Sequence, residues 1–224
     1  MILKRLVHSA SRVLANSING NPLDLPRVAR QTGTWDHADI EWLASKVRTV
    51  AGDFAEIGVF RGAAFRKLAT LASQQGKLAH AFDSFVGMNE PAAEDGGHYP
   101  KGKFDIGGPD QFASLMTEAG VERNCYELWP GYVPDCFAAL PLDRRFSLAI
   151  LDVDHYHPTV DALRWLSPRI SRQGILALDD FLPHADILAS KAIKEFLLTN
   201  HDFERIAFFN QQLILRKLPP AVGS

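Results

Sequence analysis

From Phe54 onward the chain alternates two kinds of stretch, and that alternation limits its fold more than any other feature. Short apolar runs of strand length occupy residues 54–57, 78–82, 125–129, 146–151 and 174–178. Between them lie segments with apolar residues at helical spacing. Residues 62–72 place Phe65, Leu68, Ala69 and Ala72 on one face. A short helix is expected over 111–119. Another opens at Pro158, where proline is tolerated, with Val160, Leu163, Leu166 and Ile170 inward. A last helix over 185–199 carries Ala189, Ile193, Phe196 and Leu197. Strands and helices in this order predict a doubly wound, mostly parallel α/β sheet. Two late runs, 205–208 and 213–215, flank Asn210-Gln211 and read as an antiparallel pair at the sheet edge, giving seven strands.

Two of the runs stop abruptly at acids. Residues 146–151 lead into Asp152-Val153-Asp154-His155-Tyr156, and 174–178 lead into Asp179-Asp180-Phe181. Ligands of open parallel sheets bind beyond the carboxyl ends of the strands. Strands of one sheet would bring these acids together there, and such carboxylates repel one another unless a cation lies between them. Hard divalent ions, Mg²⁺ above all, take oxygen ligands of this kind. The expectation is a metal held by Asp152, Asp179 and Asp180, with Asp154 beside it as a base. The alternative is a set of turn and capping aspartates.

A chain of 224 residues can bury a full core as one domain. The formal net charge of −2 provides no basic footprint for nucleic acid. No apolar run approaches the roughly 18 residues that span a bilayer. Cys125 and Cys136 match no zinc spacing and make a disulfide scaffold implausible. The expected compartment is cytoplasmic. Residues 1–16 carry Lys4, Arg5, His8 and Arg12, with apolar positions on one helical face. They read as a packing or oligomerisation helix in preference to a transit or membrane-surface segment, so a homo-oligomer is expected. A second helix starts near Asp36, with Asp39 in its first turn and Ile40, Leu43, Val47 and Val50 inward. Residues 1–50 thus form an N-terminal helical extension or lid.

The first strand continues into Glu56-Ile57-Gly58-Val59-Phe60-Arg61-Gly62. Gly58 permits a sharp turn, and Gly62 a close approach of ligand or strand to the helix start. This is not the dinucleotide fingerprint. Asp83 ends the second strand, where an acid can accept both ribose hydroxyls of a nucleoside or cap the following loop. Residues 86–109 are long, polar and glycine-rich; they read as a mobile lid over the substrate or as a surface insertion. His155 and His157 are either partners of the acids or ordinary polar residues near a helix start, and Tyr156 is read as packing. Trp129-Pro130-Gly131-Tyr132 is placed either at an adenine edge or in the core. Cys125 is expected to be buried.

These segments together resemble one family. Residues 52–62 resemble the first motif of the macrocin O-methyltransferase (TylF-type) family. Phe82-Asp83-Ser84-Phe85-Val86-Gly87-Met88 resembles its D-S/T-F-x-G-L segment. Asp152-Val153-Asp154-His155-Tyr156 through Thr159 resembles its D-x-D-x-Y-x-x-T segment, and residues 174–181 its G-G-x-x-x-x-D-D-Y, with Gln173 and Phe181 as departures. Lys191-Ala192-Ile193-Lys194-Glu195-Phe196 resembles its K-A-V-x-x-F helix. The resemblance spans residues 34–217. It implies a class I fold that binds S-adenosylmethionine (SAM) over residues 51–218, and Mg²⁺-dependent transfer of methyl from SAM to a hydroxyl of a small molecule. In the best-known members that hydroxyl lies on a sugar of an antibiotic. It also implies Asp152, Asp179 and Asp180 as metal ligands and Asp154 as general base. Glu56, Gly58, Gly62, Asp83 and Ser84 would line the cofactor, and Arg61 would lie near its methionine carboxylate. Ala63-Ala64 replace the family's hydroxyl residue after the glycines, and residues 96–103 depart most.

An alcohol is a poor nucleophile until deprotonated, and a carboxylate is a weak base for it, so a base and a metal are needed together. A vicinal diol, able to chelate the ion, is the expected acceptor. Two other readings fit parts of the sequence. Asp152-Val153-Asp154 also satisfies the D-x-D motif of nucleotide-sugar glycosyltransferases, which leaves Asp179, Asp180 and the Glu56 loop unexplained. A non-catalytic interaction module of the same fold would have no reason to hold four acids together.

Overall fold

The computed structural model describes residues 35–209 and 211–219. Its helices and strands follow in the order α1 (His37–Lys46), β1 (Asp53–Ile57), α2 (Phe65–Gln74), β2 (Ala79–Asp83), α3 (Pro109–Glu118), β3 (Tyr126–Pro130), β4 (Phe146–Leu151), α4 (Tyr156–Leu166), β5 (Ile170–Leu178), α5 (Leu188–Thr199), β6 (Phe203–Phe209) and β7 (Gln212–Lys217). Residues 1–16, expected to form a packing or oligomerisation helix, lie outside the described residues.

The seven strands form one sheet in the order β3-β2-β1-β4-β5-β7-β6. Strands β1 to β5 pair in parallel. β7 runs antiparallel to both β5 and β6, as the edge pair predicted. Successive side chains alternate between the faces of a strand, and the core divides accordingly. Phe54, Leu148, Ile150 and Ile175 pack with Ile40 and Leu43 of α1, Phe65 and Leu68 of α2, and Phe112 of α3. Ala55, Ile57, Phe82, Leu151 and Leu178 pack with Leu163 and Leu166 of α4 and Ile193 of α5. Each fully buried Phe or Leu contributes about 1.5–3 kcal/mol.

α1 begins where its acids dictate. Asp36 accepts from Ala38 N at 2.6 Å and Asp39 returns the bond from Asp36 N, a reciprocal cap. At the amino end of the strands, Trp129 Nε1 donates to His80 Nδ1 at 3.0 Å, so Nε2 carries the proton and faces Asp53 at 3.2 Å. Arg144 closes this buried chain on Asp53 at 2.6 Å. Trp129 is half-buried and packs against the core, its ring stacked beside those of His80 and Phe82 at 6.0 Å from each.

Several element expectations need correction. β5 begins at Ile170, because the ladder with β4 jumps from Phe146↔Ile170 to Leu148↔Ile175. Gln173 (φ 64°) absorbs the irregularity, and a β-carbon on Gly174 would sit 2.7 Å from the Ser171 carbonyl. Ile170 is buried as expected, but on a strand. α4 starts at Tyr156, two residues before Pro158, and α5 starts at Leu188. Cys125 is half-buried; Cys136 is the buried cysteine. Residues 86–108 are not structureless. Val86 and Asp105 form an isolated bridge, Met88 N donates to Lys103 O at 2.7 Å, and Ala93–Asp95 form a 3₁₀ turn.

The order of the sheet reverses between β1 and β4, the place where open α/β sheets form a ligand crevice. Ile57 pairs with Phe82 and Leu151, and Leu151 with Leu178. The next residues, Asp83, Gly58, Asp152 and Asp179, therefore stand in one row across the strand ends.

Candidate active site

That row is the floor of a cavity of about 370 Å³, within the range of small-molecule sites. Gly58, Asp83, Ser84, Asp152, Asp154, Asp179 and Asp180 all line it. One carboxylate oxygen from each of Asp152, Asp154 and Asp180 falls within 4.8 Å of the other two. Asp179 stands behind Asp152, to which it is hydrogen-bonded, and its Oδ1 also accepts from Gln212 Nε2 at 3.1 Å. The four acids that the sequence singled out thus converge. The tightest triple contains Asp154, which was expected beside the ligands, and leaves Asp179 one hydrogen bond away.

Two of these acids sit in strained backbone. Asp154 has φ 58° and Asp180 φ 56°. Aspartate tolerates the left-handed region better than most residues, yet the conformation still costs about 1 kcal/mol or more and concentrates at functional sites. It turns both carboxylates into the space between β4 and β5. Burial raises the pKa of Asp152 well above the usual range, and Asp179 and Asp180 raise it further. Asp179 is raised likewise by burial and Asp180. Burial, then Asp152 and Asp180, push Asp154 up to about 9. Without a counter-charge, burial and mutual repulsion favour the protonated forms of Asp152, Asp154 and Asp179.

The remaining expected residues fall into two groups. Asp83 accepts from Val59 N at 2.8 Å, Phe60 N at 3.1 Å and Phe85 N at 2.8 Å. It braces the first loop and still offers lone pairs to the cavity. Ser84 Oγ donates to Gly87 O at 2.6 Å and shapes the turn below the 86–108 segment. Glu56 lies beneath the floor, 3 % exposed. Its pKa is raised by burial, then by Asp152 and Asp83, and its Oε2 has no hydrogen-bond partner among the described residues. Gly62 and Arg61 do not line the cavity. A β-carbon on Gly62 would collide with Met116 and Phe112 of α3, so this glycine admits helix packing. Arg61 is exposed, its guanidinium 5.5 Å from the Phe60 ring centroid.

Of the segment after β3 that the sequence placed at an adenine edge or in the core, Gly131 and Tyr132 line the cavity, and the wall also includes residues that the sequence did not single out. Phe60 (φ 45°, 43 % exposed) meets Phe104 (φ 68°) edge-on at 5.3 Å. Both line the cavity, with Met88 and Asn89 from the 86–108 segment. Tyr99 (φ 51°) is hydrogen-bonded to Asp154, and burial followed by Asp154 pushes its phenol up to about 12. Bulky residues at positive φ beside a cavity are a structural signal that no sequence pattern carries. Tyr156 OH donates to Glu195 at 2.7 Å and His157 faces Glu94 at 3.4 Å, both on the surface.

Comparison with known proteins follows the same lines. The sequence profile of the macrocin-O-methyltransferase (TylF) family matches residues 17–206. The 8-demethyl-8-(2,3-dimethoxy-alpha-L-rhamnosyl)-tetracenomycin-C 4'-O-methyltransferase of Streptomyces olivaceus is 29% identical over 143 residues, 59% of this chain and 54% of that protein. The mycinamicin III 3''-O-methyltransferase of Micromonospora griseorubida is 29% identical over 145 residues, 59% of this chain and 56% of that protein. The chain thus spans about half the length of these curated relatives. Among solved structures, the O-methyltransferase NovP is similar with a TM-score of 0.70 at 20% identity, covering 82% of this chain and 79% of NovP. The calicheamicin methyltransferase CalS11 is similar at 0.68 and 20% identity, covering 93% and 91%. No helix among the described residues is long and apolar enough to cross a membrane.

Proposed function

The chain belongs to the TylF macrocin-O-methyltransferase family, and we propose that it transfers a methyl group from SAM to a hydroxyl of a small molecule with the help of a divalent cation. The acceptor class is a hydroxyl on a sugar of a natural product, and the Streptomyces olivaceus relative is named for O-methylation of a rhamnosyl compound. The 2,3-dimethoxy pattern in that name leaves no free vicinal diol there, so chelation by a diol is an extra feature to test. One observation carries the reading. The cavity that reaches Gly58 and Asp83 also holds three converging carboxylates.

The donor set fits the implied cation. It offers only carboxylate oxygens, with no thiol or imidazole in the triple, which suits a hard ion such as Mg²⁺. The crevice fits the implied cofactor by its volume, by its place at the sheet's switch point, and by the acid at the end of β2. When bound, SAM would supply the methyl group and the cation would supply charge that makes an acceptor hydroxyl easier to deprotonate.

In this reading Asp152 and Asp180 of that triple would hold the cation together with Asp179, which is hydrogen-bonded to Asp152, and Asp154, the remaining member of the triple, would keep the base role beside it. Asp154 receives the hydroxyl proton at a carboxylate oxygen. Asp83 accepts from a ribose hydroxyl while its backbone bonds keep the first loop rigid. Glu56, Gly58 and Ser84 support the cofactor end of the cavity. The 86–108 segment covers the acids and excludes water. Alignment of donor and acceptor can contribute roughly 7–11 kcal/mol.

The test is a methyl-transfer assay with SAM on sugar diols, with Mg²⁺ and with a chelator, together with thermal shift against SAM and a uridine-diphosphate sugar. Stabilisation by SAM and a rate abolished by chelation are expected. Full-rate transfer by chelator-stripped protein, or stabilisation by the nucleotide sugar alone, overturns the assignment.

A further inference from the structure

The helix that follows the Asp152–Asp154 turn has no side-chain cap of its own. His155 occupies the N-cap position of α4 and makes no capping bond. The cap comes from 61 residues earlier in the chain. Asp95 Oδ1 accepts from Tyr156 N at 2.9 Å. Its other oxygen accepts from Ala92 N at 3.0 Å, within the 3₁₀ turn of the 86–108 segment. His155 makes the reciprocal contact. It is 2 % exposed, its Nε2 donates to His98 O at 3.0 Å, and its Nδ1 lies 4.0 Å from Asp95. One buried carboxylate and one buried imidazole therefore weld the covering segment to the residue next to Asp154.

We propose that Asp95 and His155 are a positioning pair that makes seating of the 86–108 segment and alignment of the Asp152–Asp154 turn a single event. Neither is a catalytic residue, since each acts through its neighbours. With Asp95 removed, the first turn of α4 loses its acceptor and the segment loses its anchor together. Tyr99, four residues on, then loses the geometry that holds it on Asp154. The catalytic half of this proposal rests on the methyl-transfer reading above; the structural half does not.

Lys101 and Lys103 are exposed within the segment and serve as reporters. In the full chain, Asp95→Ala is expected to speed tryptic cleavage after these lysines about five-fold or more, since cleavage tracks the open population and a lost cap is worth that much. Its kcat for methyl transfer should fall about 10- to 100-fold, with KM for SAM within about two-fold of wild type. Asp95→Asn keeps an oxygen for Tyr156 N and should restore most of both. Wild-type cleavage and kcat in Asp95→Ala, or equal impairment of Asp95→Asn, overturns the pair. Should Asp95→Ala fail to fold, His155→Ala is expected to accelerate cleavage at the same lysines, and an unchanged rate there overturns it. If the wild-type chain transfers no methyl, the cleavage comparison still decides the structural half, separating its failure from that of the proposed function.

Discussion

Gly58 and Asp152 pass so closely at the strand ends that a β-carbon on Gly58 would overlap the Asp152 carbonyl oxygen. Gly58 also needs φ 84°, a conformation that favours glycine. The first loop and the acid-bearing turn are thus one packed unit. Gly58→Ala should lower stability by about 2–4 kcal/mol, through strain and displaced backbone. Denaturant titration would show it, and a loss below about 0.5 kcal/mol would contradict the packing.

Asp154→Asn removes the proposed proton acceptor and keeps the size. A fall in kcat of about 10²–10⁴, with SAM affinity measured by calorimetry nearly unchanged, is expected. Undiminished turnover in a folded variant would remove Asp154 from the base role.

The acid cluster also predicts how stability responds to pH. Asp154 has a folded pKa of about 9, against an ordinary value of 3.8, with Asp152, Asp180 and Tyr99 facing it. A raised folded pKa means that the native state holds more protons than the unfolded chain between these values. Stability of the chelated protein should therefore fall as pH rises from about 4 through about 9. A bound divalent cation favours the ionised form, so the stabilisation by Mg²⁺ should grow over the same window. Thermal melts from pH 5 to 9, with Mg²⁺ and with chelator, check both signs.

Asp53 behaves in the opposite sense. His80, Leu78 N and Arg144 outweigh burial and hold its carboxyl at about 2. Its contribution is present above about pH 4 and lost as pH falls towards 2. After screening it amounts to about 1–2 kcal/mol. Asp53→Asn should destabilise the protein at pH 7 and lose that deficit near pH 2, as acid unfolding curves would reveal.

Gln173 adopts φ 64° where the resembling family motif has glycine. Gln173→Gly relieves that conformation at the cost of chain entropy. A net gain of about 0.5 kcal/mol, or 1–2 °C in melting temperature, is expected. A lower melting temperature would show that the bulge depends on the glutamine side chain.

The layer order was legible from periodicity. The apolar face expected for α2 is the one that packs, and on α4 Leu163 and Leu166 are buried while Val160, expected inward, is only half-buried. The abrupt arrest at Asp152 and Asp179 marked the site. Ile170 was assigned to the wrong element because an apolar residue beside a helix end is equally suited to a strand start; the bulge at Gln173 decided it. Gly62 looked like a ligand contact because glycine spacing does not distinguish ligand from helix, and here Met116 fills the space. Phe60, Tyr99 and Phe104 were invisible as site residues. Their role follows from left-handed backbone and from a long-range fold-back that local pattern does not encode.

β7 inserts between β5 and β6, and its first residue, Gln212, reaches Asp179. The acidic site is therefore incomplete until β7 has left the ribosome. A nascent polypeptide halted before β7 exposes the edge of β5 and leaves Asp179 without its amide partner. Late-terminating truncations should accordingly aggregate instead of yielding a smaller, weaker form of the protein.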